Sequence, residues 1–165
     1  MIFKVPIQSS GGRQYLLNFT ENKSLPIKLD VDVVSMTLSL VSETTAAINN
    51  MDVLNKITTI VFNVLDDNDV ISYFYCSKDP INQRQNRQMM SPQEYRSHLF
   101  STMFDKISDK HKSGTFINKT IILRDETEGD HYIHLIVRSK YKDKIDEFAQ
   151  SIEVFFNREA SIMNT

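Results

Sequence analysis

Apolar residues in this chain recur with two different periods, and the order in which those periods follow one another limits the fold more than any other feature. Phe3, Val5 and Ile7 alternate with other residues, Ser9-Ser10-Gly11-Gly12 supplies a turn, and Tyr15, Leu17 and Phe19 alternate again. Alternation on both sides of a Gly-Gly turn predicts a β-hairpin. The stretch from Val31 to Val41, with Val34, Met36, Leu38 and Leu40 on one face, predicts a third strand, and a short strand near Leu25 to Leu29 is a further candidate. The period then lengthens. Leu54, Ile57, Val61 and Val64, widened by Val53 and Ile60, form a helical stripe that starts after Asn49-Asn50. Asp66, Asp67 and Asp69 follow, and carboxylates disfavour a helix C-terminus, so the chain is expected to leave the helix early.

Val70 to Tyr75 is a compact β-favouring run and is read as a central strand. Ser91-Pro92-Gln93-Glu94 combines a Ser cap, a first-turn Pro and a Glu that can reach back to the cap. Tyr95, Leu99, Phe100, Met103, Phe104 and Ile107 then form the stripe of a second helix. Phe116 to Arg124 and His131 to Arg138 predict two strands joined by the acidic, Gly-containing connection 125–130. Ser139 is the expected cap of a last helix facing the core with Ile145, Phe148, Ile152 and Phe155, and fraying is expected after Asn157.

Strands come in groups rather than in strict alternation with helices. The predicted class is therefore α+β: a mainly antiparallel sheet of about five to six strands with three amphipathic helices packed on it. One domain spans 1–165, with N-terminal strands over 1–45, a helix-strand-helix-hairpin-helix unit over 50–158 and a tail over 159–165. The 165 residues suffice for a real core, and only four Gly and four Pro leave little room for a linker.

Composition narrows the function classes. The net charge of −2 argues against nucleic-acid or membrane binding through bulk charge. A single cysteine, Cys76, excludes an internal disulfide. The start of the chain has no secretory pattern, and no stretch approaches the roughly 20 apolar residues that span a bilayer. Cytoplasmic location without membrane contact is the expectation, and the Asn-x-Ser/Thr triplets at Asn18, Asn22 and Asn118 are then chance matches.

From Tyr73-Phe74-Tyr75-Cys76-Ser77-Lys78-Asp79 onward the chain resembles a widespread family of small Bacteroidetes proteins known only as a domain of unknown function. The resembling positions are Cys76, Asp79, Arg96, Leu99-Phe100 and Phe104, then Ile133 to Arg138 and Phe148 to Phe156. They cover about the C-terminal two thirds. This chain departs by a longer connection, Pro80 to Met90, between the Asp and the Arg helix. The resemblance implies a bacterial origin and supports the fold; it brings no activity.

Motifs with chemical potential mostly yield to plainer readings. His131 and His134 lie three apart on a strand, so they point to opposite faces and cannot share a metal. Arg124 and His131 have the spacing of an Arg-x-His ribonuclease motif but straddle a hairpin. Asp66-Asp67-Asn68-Asp69 lacks the glycine and closing Glu of a calcium loop. Glu21-Asn22-Lys23 lacks the upstream acid of a nuclease site. Cys76, with His98 or His134 as base, is more simply a buried small hydrophobe. No catalytic residue, metal or cofactor is therefore assigned.

The segment 78–96 stands apart. Lys78, Arg84, Arg87 and Arg96 against Asp79 and Glu94 give four cations over two anions, a local +2 in an acidic chain. Gln83, Gln85, Asn86 and Gln88 interleave amides, and the segment ends at a helix N-terminus. Two readings stay open: a loop that binds a phosphate-bearing ligand or a partner protein, or a solvated loop whose arginines pair with Asp66, Asp67 or Asp69. The first makes the chain a non-enzymatic binding module with Lys78, Asp79, Arg84, Arg87, Arg96 and His98 as binding residues. The alternative is a nucleotide- or nucleic-acid-processing enzyme using Asp79, Arg96 and His98. A homodimer is a third possibility.

Overall fold

The computed structural model describes residues 2–9, 11–23, 30–42, 50–78, 90–110 and 115–163. Three strands come first: β1 (Ile2–Gln8), β2 (Gln14–Glu21) and β3 (Asp32–Ser42). Then follow α1 (Asn50–Asp67), β4 (Val70–Tyr75), α2 (Pro92–Lys110), β5 (Phe116–Leu123), β6 (His131–Arg138) and α3 (Lys142–Met163). They form a six-stranded sheet in the order β1-β2-β3-β4-β6-β5, an α+β fold as the grouping of periods predicts. Every neighbouring pair is antiparallel except β3 and β4, which run parallel with α1 as the crossover between them. The candidate strand at 25–29 lies outside the described residues.

The helices divide between the two faces. Val53, Ile57, Val61, Phe62 and Leu65 of α1 and Phe100, Phe104 and Ile107 of α2 pack on Leu17, Phe19, Val34, Met36 and Ile136. Phe62 joins the two helices to the sheet, with ring centroids 5.4 Å from Phe104 and 5.0 Å from Phe116. On the opposite face Ile145, Phe148, Ala149 and Ile152 of α3 cover Val33, Ile71, Ile121, Ile133 and Leu135. The central position of β4 follows: Val70, Ile71 and Ser72 are buried in succession because helices lie on both sides of them.

Four local expectations are corrected. α1 does not stop early; Asp66 and Asp67 remain in its last turn. The cost is offset by Arg138 of β6, whose Nη2 donates to Leu65 O at 2.5 Å and Asp66 O at 2.8 Å, so a cation from far along the chain satisfies the terminal carbonyls. Ser139 does not cap the last helix; it lies within a 3-10 turn (Ser139–Tyr141) that has no side-chain cap, and α3 continues past Asn157 to Met163. Phe155 is 44% exposed, and Phe156, four residues beyond Ile152, takes the core-facing position instead. The cap of α2 agrees with the sequence: Glu94 N–H donates to Ser91 Oγ at 3.3 Å.

Candidate functional site

Three pieces of chain meet where β4 ends: the segment Cys76–Lys78, the first turn of α2, and the β5–β6 connection. Cys76 continues the ladder by donating its N–H to Tyr132 O at 2.9 Å. Lys78 then reaches the connection, its Nζ donating to Glu128 O at 2.8 Å and Gly129 O at 3.1 Å. Gln93 Nε2 donates to Asp130 O at 3.0 Å from the α2 side. Arg96, one turn along α2, donates Nη1 to Ser77 O at 2.7 Å. Two of the segment's cations thus satisfy main-chain carbonyls at this junction. Gly129 has φ +84°, and a Cβ there would lie 3.3 Å from Gln93 Nε2, which explains the glycine at this point of the connection.

The connection itself is built around Asp125. Its Oδ1 accepts from Thr127 N–H at 3.0 Å and Glu128 N–H at 2.9 Å, and its Oδ2 lies 2.9 Å from His131 Nε2. The Glu128 amide above all, then His131, holds the Asp125 carboxyl down at about 2. Asp130 accepts from Asp125 N–H at 3.1 Å and pairs with Arg124 at 2.5 Å. The two aspartates of the connection are therefore partnered locally.

His131 passes this order to β4. Asp125, an acceptor only, takes the Nε2–H of the ring, and the Tyr75 hydroxyl lies 2.8 Å from Nδ1. The Phe156 ring of α3 stands edge-on to the imidazole at 5.1 Å. The result is a chain Asp125–His131–Tyr75 ending at a phenol that is 39% exposed. Burial first, then the neighbouring Cys76 and Asp125, raises the Tyr75 pKa, so the phenol stays protonated.

A second polar chain lies under α2. Ser97 Oγ is 2.9 Å from His134 Nε2, and His134 Nδ1 is 2.9 Å from Asn118 Oδ1. Asn118 also donates from Nδ2 to Ser101 Oγ at 3.5 Å. The order hydroxyl, imidazole, amide is that of a nucleophile with its base and orienting group. Its surroundings are not. His134 is fully buried and Ser97 is 6% exposed. The Phe100 ring lies 4.9 Å from the imidazole. Ser97 sits in the interior of α2, where backbone amides serve the helix and cannot form an oxyanion hole. Burial holds the His134 pKa down at about 4, so the imidazole is neutral and the chain is a satisfied polar patch within the core.

Of the six binding residues named from sequence, Lys78 and Arg96 are brought together at the junction. His98 is exposed on α2 and does not join them. Asp79, Arg84 and Arg87 lie outside the described residues. The alternative pairing of the segment's arginines with Asp66, Asp67 or Asp69 rests on Arg84 and Arg87 and so lies outside the described residues; among the described residues Asp69 accepts from Tyr141 and pairs with Lys140 at 3.2 Å, next to the C-terminus of α1 and the start of β4. Lys78 follows the other end of that strand. The opposite placement of His131 and His134 agrees with the strand argument, and Cys76 is buried, its thiol pushed up to about 12 by desolvation, which leaves no nucleophile. Lys23 and Glu21 form an exposed ion pair at 3.7 Å.

Among the described residues no group of three or more His, Cys, Asp or Glu is placed to hold a metal, and no helix is long and apolar enough to cross a membrane. The Asp125–His131–Tyr75 chain was not found from sequence. Its one local signal was an Asp opening a turn six residues before a His; Tyr75 is 56 residues from its partner. Comparison with family models, with curated proteins and with solved structures gives no match to this chain.

Proposed function

We propose that this protein is a small binding module that engages a phosphate-bearing ligand or a partner protein through the polar segment between β4 and α2. The observation that supports this reading is the use of Lys78 and Arg96. Both spend hydrogen bonds on backbone carbonyls, one just before residues 79–89 and one just after them. They act as staples: Lys78 ties the start of the segment to the β5–β6 connection, and Arg96 ties α2 back to Ser77 at that start. The remaining cations of the segment are Arg84 and Arg87, whose guanidinium forks suit phosphate and carboxylate oxygens. Asp125 and Asp130, which border the junction, already have partners in His131 and Arg124.

On this reading Arg84 and Arg87 make the contact and Lys78 and Arg96 position the segment. The protein is cytoplasmic and belongs with the bacterial family it resembles. The test is capture from extract of the native cell by immobilised protein, scored for protein and for nucleic acid. Arg84→Ala with Arg87→Ala is expected to lose the captured species while the melting temperature stays within a degree or so. Capture that is unchanged in the double variant overturns the site.

A further inference from the structure

Two strands end the sheet, β1 on one side and β5 on the other, and they are guarded very differently. An edge strand turns the N–H and C=O of every second residue outward, and the ladder decides which residues these are. At β1, Ser9 N–H bonds to Arg13 O at 2.8 Å. The register continues through Ile7↔Tyr15 and Val5↔Leu17, so Ile7 and Val5 bond to β2 and the even-numbered row faces out. Pro6 stands in that outward row next to the exposed Lys4. Proline has no N–H to offer a further strand, and a lysine beside it opposes pairing, so this edge is closed.

At β5 the corresponding bond is Ser139 N–H to Thr115 O at 2.8 Å. The register continues as Ile117↔Val137, Lys119↔Leu135 and Ile121↔Ile133. Phe116, Asn118, Thr120 and Ile122 therefore hold their N–H and C=O away from β6. None is a proline. The one cation of the strand, Lys119, is drawn to α3 by Asp146 at 3.2 Å. Thr120 is exposed and Ile122 is 38% exposed, an apolar side chain on the solvent side of an open edge. Among the described residues no strand lies beyond β5.

We propose that β5 is the contact between two copies of this chain, paired antiparallel about a two-fold axis at Thr120 so that the sheet runs on through both. A second copy fits because the strand complements itself in that register. Asn118 lies opposite Ile122 of the other copy, Lys119 opposite Ile121, and Ile117 opposite Leu123. Outward backbone groups meet outward backbone groups, and each helix-covered face continues into its equivalent. Moving the axis to Lys119 would set two ammonium groups directly opposite each other. Moving it by half that step would set the outward backbone groups of one copy against residues whose groups already bond to β6, and no ladder forms.

Sedimentation velocity on the full chain across the micromolar range tests this, together with three variants. Ile122→Pro removes an outward N–H and leaves the β5–β6 bonds intact. It is expected to weaken the dimer at least about tenfold, since each copy loses a hydrogen bond at the contact. Thr120→Cys is expected to form a disulfide-linked dimer on mild oxidation, because the axis places the two Cα atoms within bridging distance; Cys76 is buried and does not compete. Ile122→Lys reads the same contact if the proline variant lacks a cooperative melt. A wild-type chain that stays monomeric throughout overturns the proposal. So does a dimer that neither Ile122 variant weakens and that Thr120→Cys does not cross-link.

Discussion

β6 carries two histidines three residues apart, and each lies within a hydrogen-bonded chain of side chains. Under α2, His134 is held by a serine and an asparagine, and no charged side chain joins the chain. On the other face, His131 is held by a carboxylate and a phenol. The difference is one of solvation. A carboxylate beside His134 would have to be desolvated completely, at a cost no single neighbour offsets. Asp125 is tolerated because it lies at the surface and the Thr127 and Glu128 amides already point at it. The pair teaches that side-chain geometry alone does not mark a site: the chain that most resembles catalytic machinery is sealed in the core, and the exposed one sits beside the segment proposed to bind.

The sharpest way to break the buried half is to open it. Phe100→Ala removes a fully buried ring that contacts both His134 and Phe74, and about 4 kcal/mol of stability should go with it, read by denaturant unfolding. A pH series probes the same region with no mutation. Folded His134 is neutral, with its pKa lowered to about 4, whereas the unfolded chain takes up that proton near 6.5. Its contribution is therefore complete above about pH 6.5 and falls by about 3 kcal/mol as the pH drops to about 4, with no further change below. His134→Gln should flatten that slope. The Asp125 contribution, from a carboxyl held at about 2, belongs to a lower window and is lost as pH falls through that value.

The exposed half should respond more weakly. Gly129→Ala places a side chain at φ +84° against Gln93 and should cost about 1 kcal/mol, seen as a lower melting temperature. Tyr75→Phe removes one surface hydrogen bond and should cost about 0.5 kcal/mol or less. A loss from Tyr75→Phe as large as that from Phe100→Ala would erase the contrast between the two chains.

Much of the fold was legible because its signals are local. The Ser91 cap, the hairpin from Phe116 to Arg138 and the stripes of α1 and α2 each depend on residues within a few positions of one another. What escaped depends on residues far apart. The acidic end of α1 is carried by Arg138, 72 residues on from Asp66, so no local rule foresaw it. The last core position of α3 went to Phe156 rather than Phe155, because two adjacent Phe leave the choice to packing. The basic segment 78–96 was legible as composition, but the use of Lys78 and Arg96 as staples was not. Their acceptors are main-chain carbonyls, and a carbonyl carries no signature in sequence.

The most direct test of the division between a structural interior and a binding surface crosses two variants with two readouts. Arg84→Ala with Arg87→Ala, and separately Ser97→Ala, are compared for melting temperature and for capture from native extract. The basic-segment variant should lose capture at an unchanged melting temperature. Ser97→Ala should keep capture and lose about 1–2 kcal/mol of stability, since it leaves the buried His134 Nε2 without its partner. Capture lost on Ser97→Ala and retained by the arginine variant would contradict the account.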